Sequence, residues 1–374
     1  MIRVRLSRND GLLLVMTVIW GVNYSIVKVA LREIPPLAFN SLRLGLASLL
    51  FLLTLALCRR AGHRANESNG ATTRSAERPS VGVSTSDAGP RPARRRAQRE
   101  GGTSDDPASP PISDTGPRTS GDTASALPVF QRSRINPRDW LLIALFGLIG
   151  HFVYQLCFLF GLDRTTVANS SLILGCSPVV VALFSAALGH ERVGPLHWTG
   201  AVLSVAGIYL VVGRGARLGG ASLAGDVLTI CGLFCWGMYT VGAKGLLDRH
   251  SPLEVTGYSM AIGTVPYVLL GLGELRRIDW NGVPAEAWAA LVFSAVFALF
   301  VAYLIWYVAV QRIGNVRTAM YSNLTPIAAL AAAVLWLGER LTSSAVAGAI
   351  AILTGMALTR VVTARVRVAA PAEE

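Results

Sequence analysis

Apolar segments of about twenty residues recur along the chain, and no other feature restricts its fold as strongly. A helix of that length spans about 30 Å, the thickness of the hydrocarbon core of a bilayer. The chain is 52% hydrophobic and 15% charged, whereas soluble domains average about 25% charged residues. The pattern therefore predicts an all-α, polytopic membrane protein and not a set of soluble domains.

Ten apolar segments are expected to cross the membrane, and we number them spans 1 to 10 in chain order. Their expected ranges are 11–30, 37–57, 140–160, 167–188, 196–213, 224–244, 252–273, 286–308, 316–337 and 343–363. The basic N-terminus before span 1 imitates a signal peptide. However, the apolar run continues to Ala30 and recurs inside the chain, so we predict that span 1 is retained.

Residues 61–137 form the one long interruption between the spans. They are rich in Arg, Ser, Gly, Pro, Thr and Asp and poor in aromatic residues. Such a composition buries too little apolar surface to offset the entropy lost on ordering, so a disordered insertion is predicted. A tolerated low-complexity insertion and a phosphorylated or partner-binding tail both remain open as its role.

The same distinctive residues occur twice in the same order, which indicates an internal duplication. Adding 216 maps Asp10, Trp20, Gly21, Lys28 and Pro36 onto Asp226, Trp236, Gly237, Lys244 and Pro252. After the insertion, adding 148 maps Arg164, Pro178, Glu191, Arg192 and Gly207 onto Arg312, Pro326, Glu339, Arg340 and Gly355. One insertion explains the change of offset, so the chain is interpreted as two copies of a five-span unit. Lys28 and Lys244 are the only lysines in the chain.

An odd number of spans in each copy forces the copies into opposite orientations, which predicts an inverted 5+5 repeat. With a cytoplasmic N-terminus, the inner loops hold seventeen Arg and Lys residues, not counting residues 65–131 of the insertion, and the outer loops hold seven. That bias follows the positive-inside rule. We therefore predict a multi-pass protein of the cell (inner) membrane with both termini in the cytoplasm.

Four segments follow from this organisation. Residues 1–60 hold spans 1 and 2 of the first repeat, and 61–137 are the cytoplasmic insertion. Residues 138–215 hold spans 3 to 5, and 216–374 form the second repeat with spans 6 to 10.

Several short motifs stand in a fixed order along the chain: Trp20-Gly21-x-Asn23 with Lys28, Arg43 in span 2, Pro178 followed by Gly189-His190-Glu191-Arg192, and Pro326 followed by Gly338-Glu339-Arg340-Leu341. In these motifs the chain resembles the EamA type of the drug/metabolite transporter superfamily. The resemblance implies a ten-helix carrier whose central cavity is lined mainly by spans 1, 3, 4, 6, 8 and 9. Three departures from the family pattern are the long insertion, Ser259 as the counterpart of Arg43, and Tyr239 as the counterpart of Asn23.

Polar side chains within the spans are candidates for the solute site, because in hydrocarbon they usually face a cavity or another helix. The substrate-binding candidates are Asn23, Tyr24, His151, Gln155, Asn169, Tyr239, Tyr303, Tyr321 and Asn323. His151 and Gln155 lie one turn apart and are expected to share a helix face. Interhelical hydrogen bonding and aromatic anchoring at the membrane interface are the structural alternatives.

Lys28 and Glu339 are expected near the outer face, and Lys244 and Glu191 near the inner face. Alternating Lys28–Glu339 and Lys244–Glu191 contacts would close two gates in turn. The alternatives are lysines that extend to the headgroups and glutamates that stabilise the N-terminus of the next helix.

Three further residues are unusual inside an apolar span. Pro178 and Pro326 are predicted to kink spans 4 and 9, presenting backbone acceptors to solute or serving packing alone. Arg43 lies about two turns inside span 2, where a guanidinium requires partners. We expect it to have a structural role rather than to contact substrate.

Several classes of function are disfavoured by what the sequence lacks. It shows no phosphate-binding loop, no metal-ligand cluster and no Ser/His/Asp set. The net charge of +12 is concentrated in the insertion and beside apolar runs, which is not typical of nucleic-acid binding. The expected partners are a small-molecule solute and the lipid bilayer, with no nucleic acid, no metal and no cofactor; pairing into a homodimer stays open.

The sequence predicts a secondary transporter, and not an enzyme. It would export a small metabolite, amino acid or drug-like solute by alternating access, where export is what the resemblance implies. A nucleotide-sugar-type exchanger is the alternative within transport. A membrane enzyme or a non-transporting scaffold is the alternative from another class.

Overall fold

The computed structural model describes residues 8–76, 133–189 and 221–340, together with parts of 198–210 and 343–355. It divides into a main unit, Met1–Arg60 with Ala126–Glu374, and a second unit, Ala61–Ser125. All regular structure in the described residues is helical. Seven of the described helices are long and apolar enough to cross a bilayer, and Thr325–Leu337 and Val346–Gly355 are shorter apolar helices. The all-α, multi-span membrane fold is confirmed.

The first four spans have the following bounds. Span 1 is Arg8–Ala30, the span 2 helix is Pro36–Ala76, span 3 joins Pro137–Gly147 and Tyr154–Arg164 through a π-helical turn at Leu148–Val153, and span 4 is Val167–Gly175 followed by Ser177–Ala187.

The second repeat has the same sequence of elements. Span 6 is Ala221–Leu247, span 7 is Pro252–Leu275, span 8 joins Ala285–Phe293 and Ala302–Ile313 through a π-helical turn at Ser294–Val301, and span 9 is Asn315–Tyr321, a 3₁₀ turn at Ser322–Leu324, and Thr325–Leu337. Most of span 5 and the end of span 10 lie outside the described residues.

The second unit contains the start of the stretch predicted to be disordered. Its described residues, 61–76, continue the span 2 helix, so helix replaces disorder over that part. Residues 77–132 lie outside the described residues, and for them disorder stays a prediction.

The helix boundaries have local causes in the sequence. Asn136 caps span 3 by accepting from the N–H of Asp139 at 2.8 Å, and Pro137 supplies the fixed φ that suits a first helical position. Span 9 ends at Gly338, which has φ 64°, the left-handed conformation that glycine adopts without steric cost.

The two repeats meet at equivalent positions in the centre of the main unit. A residue can touch its own copy only near the axis that relates the copies. Three equivalent pairs do so: Trp20 with Trp236 (ring centroids 5.6 Å apart), Ser48 with Thr264 (hydroxyls 2.8 Å apart) and Gln155 with Tyr303 (3.3 Å). The π-helical turns also correspond, because adding 148 to the first places it inside the second. The axis of the repeat therefore passes through the middle of the bundle.

The repeated glycines let the spans beside this axis approach closely. A Cβ at Gly21 would lie 2.5 Å from Cβ of Ala328 on span 9, and one at Gly237 would lie 2.6 Å from Val180 on span 4. Small residues permit such backbone approach between membrane helices. The Trp-Gly dipeptide thus places an indole at the axis while the next residue keeps span 1 against span 9.

Candidate functional site

A cavity of about 60 Å³ lies at mid-span between the two repeats. This volume holds a few water molecules. It is lined by Trp20, Asn23, Tyr24, Arg43, Tyr154, Gln155, Phe158, Leu174, Gly175, Ser177, Trp236, Ala298, Leu299, Tyr303, Ser322 and Thr325. The lining comes from spans 1, 3, 4, 6, 8 and 9, as the family resemblance implies, and also from span 2 through Arg43.

Breaks in helix geometry surround this cavity. The π-helical turn of span 3 ends beside the lining residue Tyr154, and that of span 8 contains Ala298. Spans 4 and 9 are interrupted immediately before Pro178 and Pro326, which lie in the first turn of the segments that follow. Irregular backbone at membrane depth is tolerated where it is buried in protein or lines a cavity, so four spans change geometry where a solute would sit.

Arg43 reaches the cavity from span 2 and is only 1% exposed. Its Nε donates to Oδ1 of Asn40 at 2.8 Å, Nη1 to Oγ of Ser294 at 3.0 Å, and Nη2 to Oε1 of Gln155 at 2.6 Å. The guanidinium also lies 5.9 Å from the ring centroid of Phe158. All three acceptors are neutral. Arg43 therefore joins spans 2, 3 and 8, and it also lines the cavity. The expectation that its role is structural rather than contact with substrate stays a prediction.

Two oxygen atoms at the cavity wall are buried without a hydrogen-bond partner among the described residues. They are Oδ1 of Asn23 and Oγ1 of Thr325. The hydroxyls of two other lining residues, Ser177 and Ser322, pair with each other at 3.1 Å. The residues of the cavity wall therefore include two buried acceptors without partners among the described residues, together with the cation Arg43.

An aromatic cluster packs beside the cavity on the side of the predicted cytoplasmic face. We define it as Trp20, Trp236, Tyr239, Tyr303, Trp306 and Tyr307. The ring centroids of Trp20, Trp236 and Trp306 are 5.3 to 5.6 Å apart from one another. The indole N–H of Trp20 donates to the carbonyl of Ala298 at 2.9 Å, which fixes its orientation. The cluster fills the space between the cavity and the ends of spans 6 and 8.

His151 and Tyr239, both substrate-binding candidates, do not line the cavity. Nε2 of His151 lies 2.9 Å from the hydroxyl of Tyr239, which lies 2.8 Å from Oγ of Ser259. His151 lies within the π-helical turn of span 3, which alters the α-helical register, and Gln155 lies beyond it. His151 and Gln155 therefore do not share a helix face as predicted. Gln155 lines the cavity, and His151 packs against the aromatic cluster.

The other substrate-binding candidates fall into those that line the cavity and those that bond to other polar residues. Asn23, Tyr24, Gln155 and Tyr303 line the cavity. Nδ2 of Asn169 donates to Asp226 at 3.2 and 3.3 Å, and the hydroxyl of Tyr321 donates to Oδ1 of Asp10 at 2.5 Å. The side chain of Asn323 lies outside the described residues. The role of each in binding solute stays a prediction.

Lys28 binds backbone carbonyls at the turn between spans 3 and 4. Its Nζ donates to the carbonyls of Leu162 at 2.6 Å, Asp163 at 2.8 Å and Thr165 at 2.9 Å. These three acceptors satisfy the ammonium, and Lys28 therefore fastens the end of span 1 to the end of span 3.

Glu339 binds backbone N–H groups of the same turn. Its carboxylate accepts from the N–H of Val167 at 2.9 Å and of Ala168 at 3.2 Å, at the N-terminus of span 4. Lys28 and Glu339 thus converge on residues 162–168 without forming an ion pair within 4.0 Å among the described residues. We call Lys28, Glu339 and this turn the outer latch.

The equivalent lysine at the opposite end has a different environment. Lys244 pairs with Asp248 on its own helix, and it is partly exposed. Its predicted partner Glu191 lies outside the described residues. The gating role of all four residues stays a prediction.

A polar network also forms near the start of span 3, which the sequence did not predict. Oγ of Ser133 lies 2.5 Å from Nδ1 of His250, and Nε2 of His250 lies 2.8 Å from Oδ2 of Asp139. Asp139 also pairs with Arg249 at 2.7 Å, and Ser133 donates to Glu254 at 2.8 Å. The hydroxyl of Ser133 thus contacts both His250, which follows span 6, and Glu254, which lies in span 7. The network therefore holds the residues before span 3 against spans 6 and 7.

Other lining residues were missed as site residues by sequence reasoning. Trp20 and Trp236 were visible as repeat markers, and that duplication was the available signal. Phe158, Leu174 and Leu299 are apolar residues in apolar spans, so nothing in the sequence separates them from lipid-facing neighbours. Within the described residues, no three His, Cys, Asp or Glu side chains group as metal ligands.

Comparison with known proteins places this architecture in a family. The EamA-like transporter family matches residues 123–213 and 223–361. A solved crystal structure superposes with a TM-score of 0.57 at 17% identity, covering 96% of this chain and 99% of that one, which supports the fold.

Three of the relatives are named as transporters or exporters. An uncharacterized transporter of Archaeoglobus fulgidus is 30% identical over 59% of this chain and 76% of its own length. The uncharacterized transporter YyaM of Bacillus subtilis is 28% identical over 48% of this chain, which spans only 60% of YyaM. A probable terminal-alkyne amino-acid exporter of Streptantibioticus cattleyicolor is 29% identical over 55% of this chain and 68% of its own length. The chain belongs to the EamA-like transporter family and is a multi-span membrane transporter of the EamA type.

Proposed function

We propose that the protein exports a small amino-acid-like metabolite across the cell membrane by alternating access. The observation that carries the proposal is the cavity at the axis between the two repeats, with a guanidinium and vacant acceptors on its wall. Solute sites at the repeat interface near the bilayer midplane are the common plan of inverted-repeat carriers. The name of the amino-acid exporter from Streptantibioticus supports the solute class.

The unequal state of the two ends supports alternating access. Lys28 engages three carbonyls of the turn after span 3. The residues equivalent to that turn are 310–313 in the second repeat, whereas Lys244 binds Asp248. If the repeats exchange conformations, Lys244 would engage the 310–313 turn while Lys28 is released. In this version of the gating hypothesis, each lysine binds the backbone of a turn, in place of the direct Lys28–Glu339 and Lys244–Glu191 ion pairs suggested by the sequence.

The direction of export and the cytoplasmic termini are part of the proposal. The excess of Arg and Lys in the loops on the side of the N-terminus supports the orientation. A protease-accessibility or reporter fusion assay at the C-terminus would check it, and an external C-terminus would contradict the topology.

Flux in proteoliposomes tests the function directly. The probe is radiolabelled L-propargylglycine, a terminal-alkyne amino acid, with L-norvaline as its saturated analogue. We expect the wild-type protein to move both probes without counter-solute. Flux only in the presence of internal solute would favour an exchanger, and absence of flux for all offered solutes would favour a scaffold or an enzyme.

A matched pair of variants ties flux to the cavity. Ala298→Phe inserts a ring at a residue that lines the cavity and is 2% exposed, whereas Phe297→Ala changes its 45% exposed neighbour. We expect the first to abolish flux and the second to leave it within about twofold, because only Ala298 borders the solute path. Equal flux in both variants would show that solute does not pass this cavity.

A further inference from the structure

The charge of Arg43 is not balanced by any carboxylate of the described residues. Its three hydrogen-bond acceptors are an amide of Asn40, a hydroxyl of Ser294 and an amide of Gln155. Buried charges in membrane spans usually pair with an opposite charge or serve a solute path. A cation that lines a cavity and lacks an acidic partner therefore favours an anionic group in that cavity.

The guanidinium retains donors for such a group. Arginine carries five N–H donors in a planar fork, and three of them are directed at Asn40, Ser294 and Gln155. One N–H remains on each terminal nitrogen. Two parallel donors on adjacent nitrogens match the two oxygens of a carboxylate.

The second repeat shows that a charge is not needed to join the spans here. At the position equivalent to Arg43, Ser259 connects to the hydroxyl of Tyr239 at 2.8 Å. That neutral contact joins span 7 to span 6 and, through His151, to span 3. Since a serine fulfils the connecting role in one copy, the positive charge in the other copy requires a separate reason.

Other residues of the same lining suit the ammonium group of an amino acid. Oδ1 of Asn23 and Oγ1 of Thr325 are buried acceptors without partners among the described residues. The indoles of Trp20 and Trp236 border the same space, and aromatic faces attract ammonium groups. An α-amino acid carries both a carboxylate and an ammonium.

We propose that Arg43 binds the carboxylate of the transported solute, so that the cavity selects acids over the corresponding amides. The inference rests on the proposed function and names the group that determines its specificity. Oδ1 of Asn23 and Oγ1 of Thr325 accept hydrogen bonds from the ammonium of the same solute.

Binding to the purified full-length protein in nanodiscs tests the carboxylate site separately from transport. The probes are L-norvaline, its amide, and pentanoate, which lacks the ammonium. The readout is the shift of the thermal unfolding midpoint with probe concentration. We expect half-saturation by L-norvaline at a concentration at least tenfold below that of the amide, because the amide lacks the anionic oxygens.

Variants of Arg43 assign the preference to its side chain. Arg43→Gln should remove the preference for acid over amide, whereas Arg43→Lys keeps the charge and should retain the preference with about tenfold weaker binding. Arg59→Gln, on the same helix and outside the cavity, is the matched control and should behave as wild type. Where Arg43→Gln does not fold, Arg43→Lys and Ser294→Ala carry the test, since both keep a cation at the site.

The outcomes separate the two proposals. Binding of pentanoate without binding of L-norvaline would support the carboxylate site and overturn the amino-acid proposal. A response to the amide that equals or exceeds the response to the acid would overturn the role of Arg43 and leave transport of amines standing. Acid preference that survives in Arg43→Gln, or no response to any of the three probes, would also overturn the carboxylate site.

Discussion

The two repeats share a backbone plan but differ in the chemistry at equivalent positions. In the first repeat, Asn23 and Arg43 face the cavity, and Asn23 keeps a vacant acceptor. In the second repeat, the counterparts Tyr239 and Ser259 bond to each other away from the cavity. The first repeat thus provides groups suited to a ligand, and the second fills the corresponding space with packed aromatic rings.

This difference shows how an inverted repeat can divide its tasks. Equivalent backbones place equivalent side chains around one axis, so a pair of substitutions is enough to make one copy polar and the other closed. The same contrast holds at the ends, where Lys28 belongs to the outer latch and Lys244 pairs within its own helix. The expected effects of mutating each equivalent pair are therefore unequal.

The largest inequality is expected at Arg43 and Ser259. Arg43→Ala removes the cation of the cavity and leaves the oxygens of Asn40 and Gln155 without their donor, so flux should fall by about a hundredfold, or ~2.7 kcal/mol. Ser259→Ala should lower flux by less than about fivefold, because it removes only two neutral hydrogen bonds, with the hydroxyl of Tyr239 and the carbonyl of Thr256. Initial flux rates in proteoliposomes with equal protein content measure both. Similar losses would show that the repeats contribute alike.

The next inequality concerns packing at Gly21 and Gly237. A Cβ at Gly21 would meet the backbone carbonyl of Thr325 at 2.8 Å, whereas one at Gly237 would meet a side-chain carbon of Val180 at 2.6 Å. A side chain can move and a backbone resists, so Gly21→Ala should lower the free energy of unfolding by about 1–3 kcal/mol and Gly237→Ala by less. Reversible unfolding in detergent measures this.

A third glycine provides the control for that pair. Gly245 has no atom within 4 Å of an added Cβ, and Gly245→Ala should be neutral or slightly stabilising because alanine favours helix. A larger loss for Gly237→Ala than for Gly21→Ala would contradict the packing argument.

The lysines at the two ends should differ by a smaller factor. Lys28→Met removes three hydrogen bonds that hold the turn after span 3, and we expect a change in flux of about tenfold. Lys244→Met removes an exposed pair with Asp248, for which surface ion pairs predict a change of less than about twofold. Equal effects in transport assays would indicate that both lysines serve the cycle in the same way.

The last comparison concerns the hydroxyl of Tyr239, whose removal is expected to change stability more than flux. Tyr239→Phe keeps the ring in the aromatic cluster and removes the group that bridges His151 and Ser259. We expect a loss of about 1–3 kcal/mol in the free energy of unfolding, with flux within about threefold of wild type. Tyr258→Phe, outside the cluster, serves as the matched control. A loss of flux beyond tenfold for Tyr239→Phe would place this hydroxyl in the solute path.

The spans and the repeat were predictable because length, hydropathy and recurring residues are properties of the chain itself. Lateral neighbours were not. A contact between Lys28 and Glu339 was one of the hypotheses drawn from the sequence; in the structure each binds the turn at 162–168, which no spacing in the sequence indicates. His151 and Gln155 were expected to share a face, and the π-helical turn separated them. Arg43 was expected to have a structural role because a guanidinium inside a span requires partners. That it also lines a cavity depends on how distant spans pack, which the sequence does not show.

The contacts between equivalent residues at the axis have a consequence for motion. When two related halves exchange conformations, a contact between a residue and its own copy is converted into itself. The Ser48–Thr264, Trp20–Trp236 and Gln155–Tyr303 contacts can therefore persist through a cycle in which contacts between non-equivalent residues rearrange. The hydroxyl pair and the perpendicular indoles would then act as the fixed pivot about which the two repeats rotate while the solute moves past.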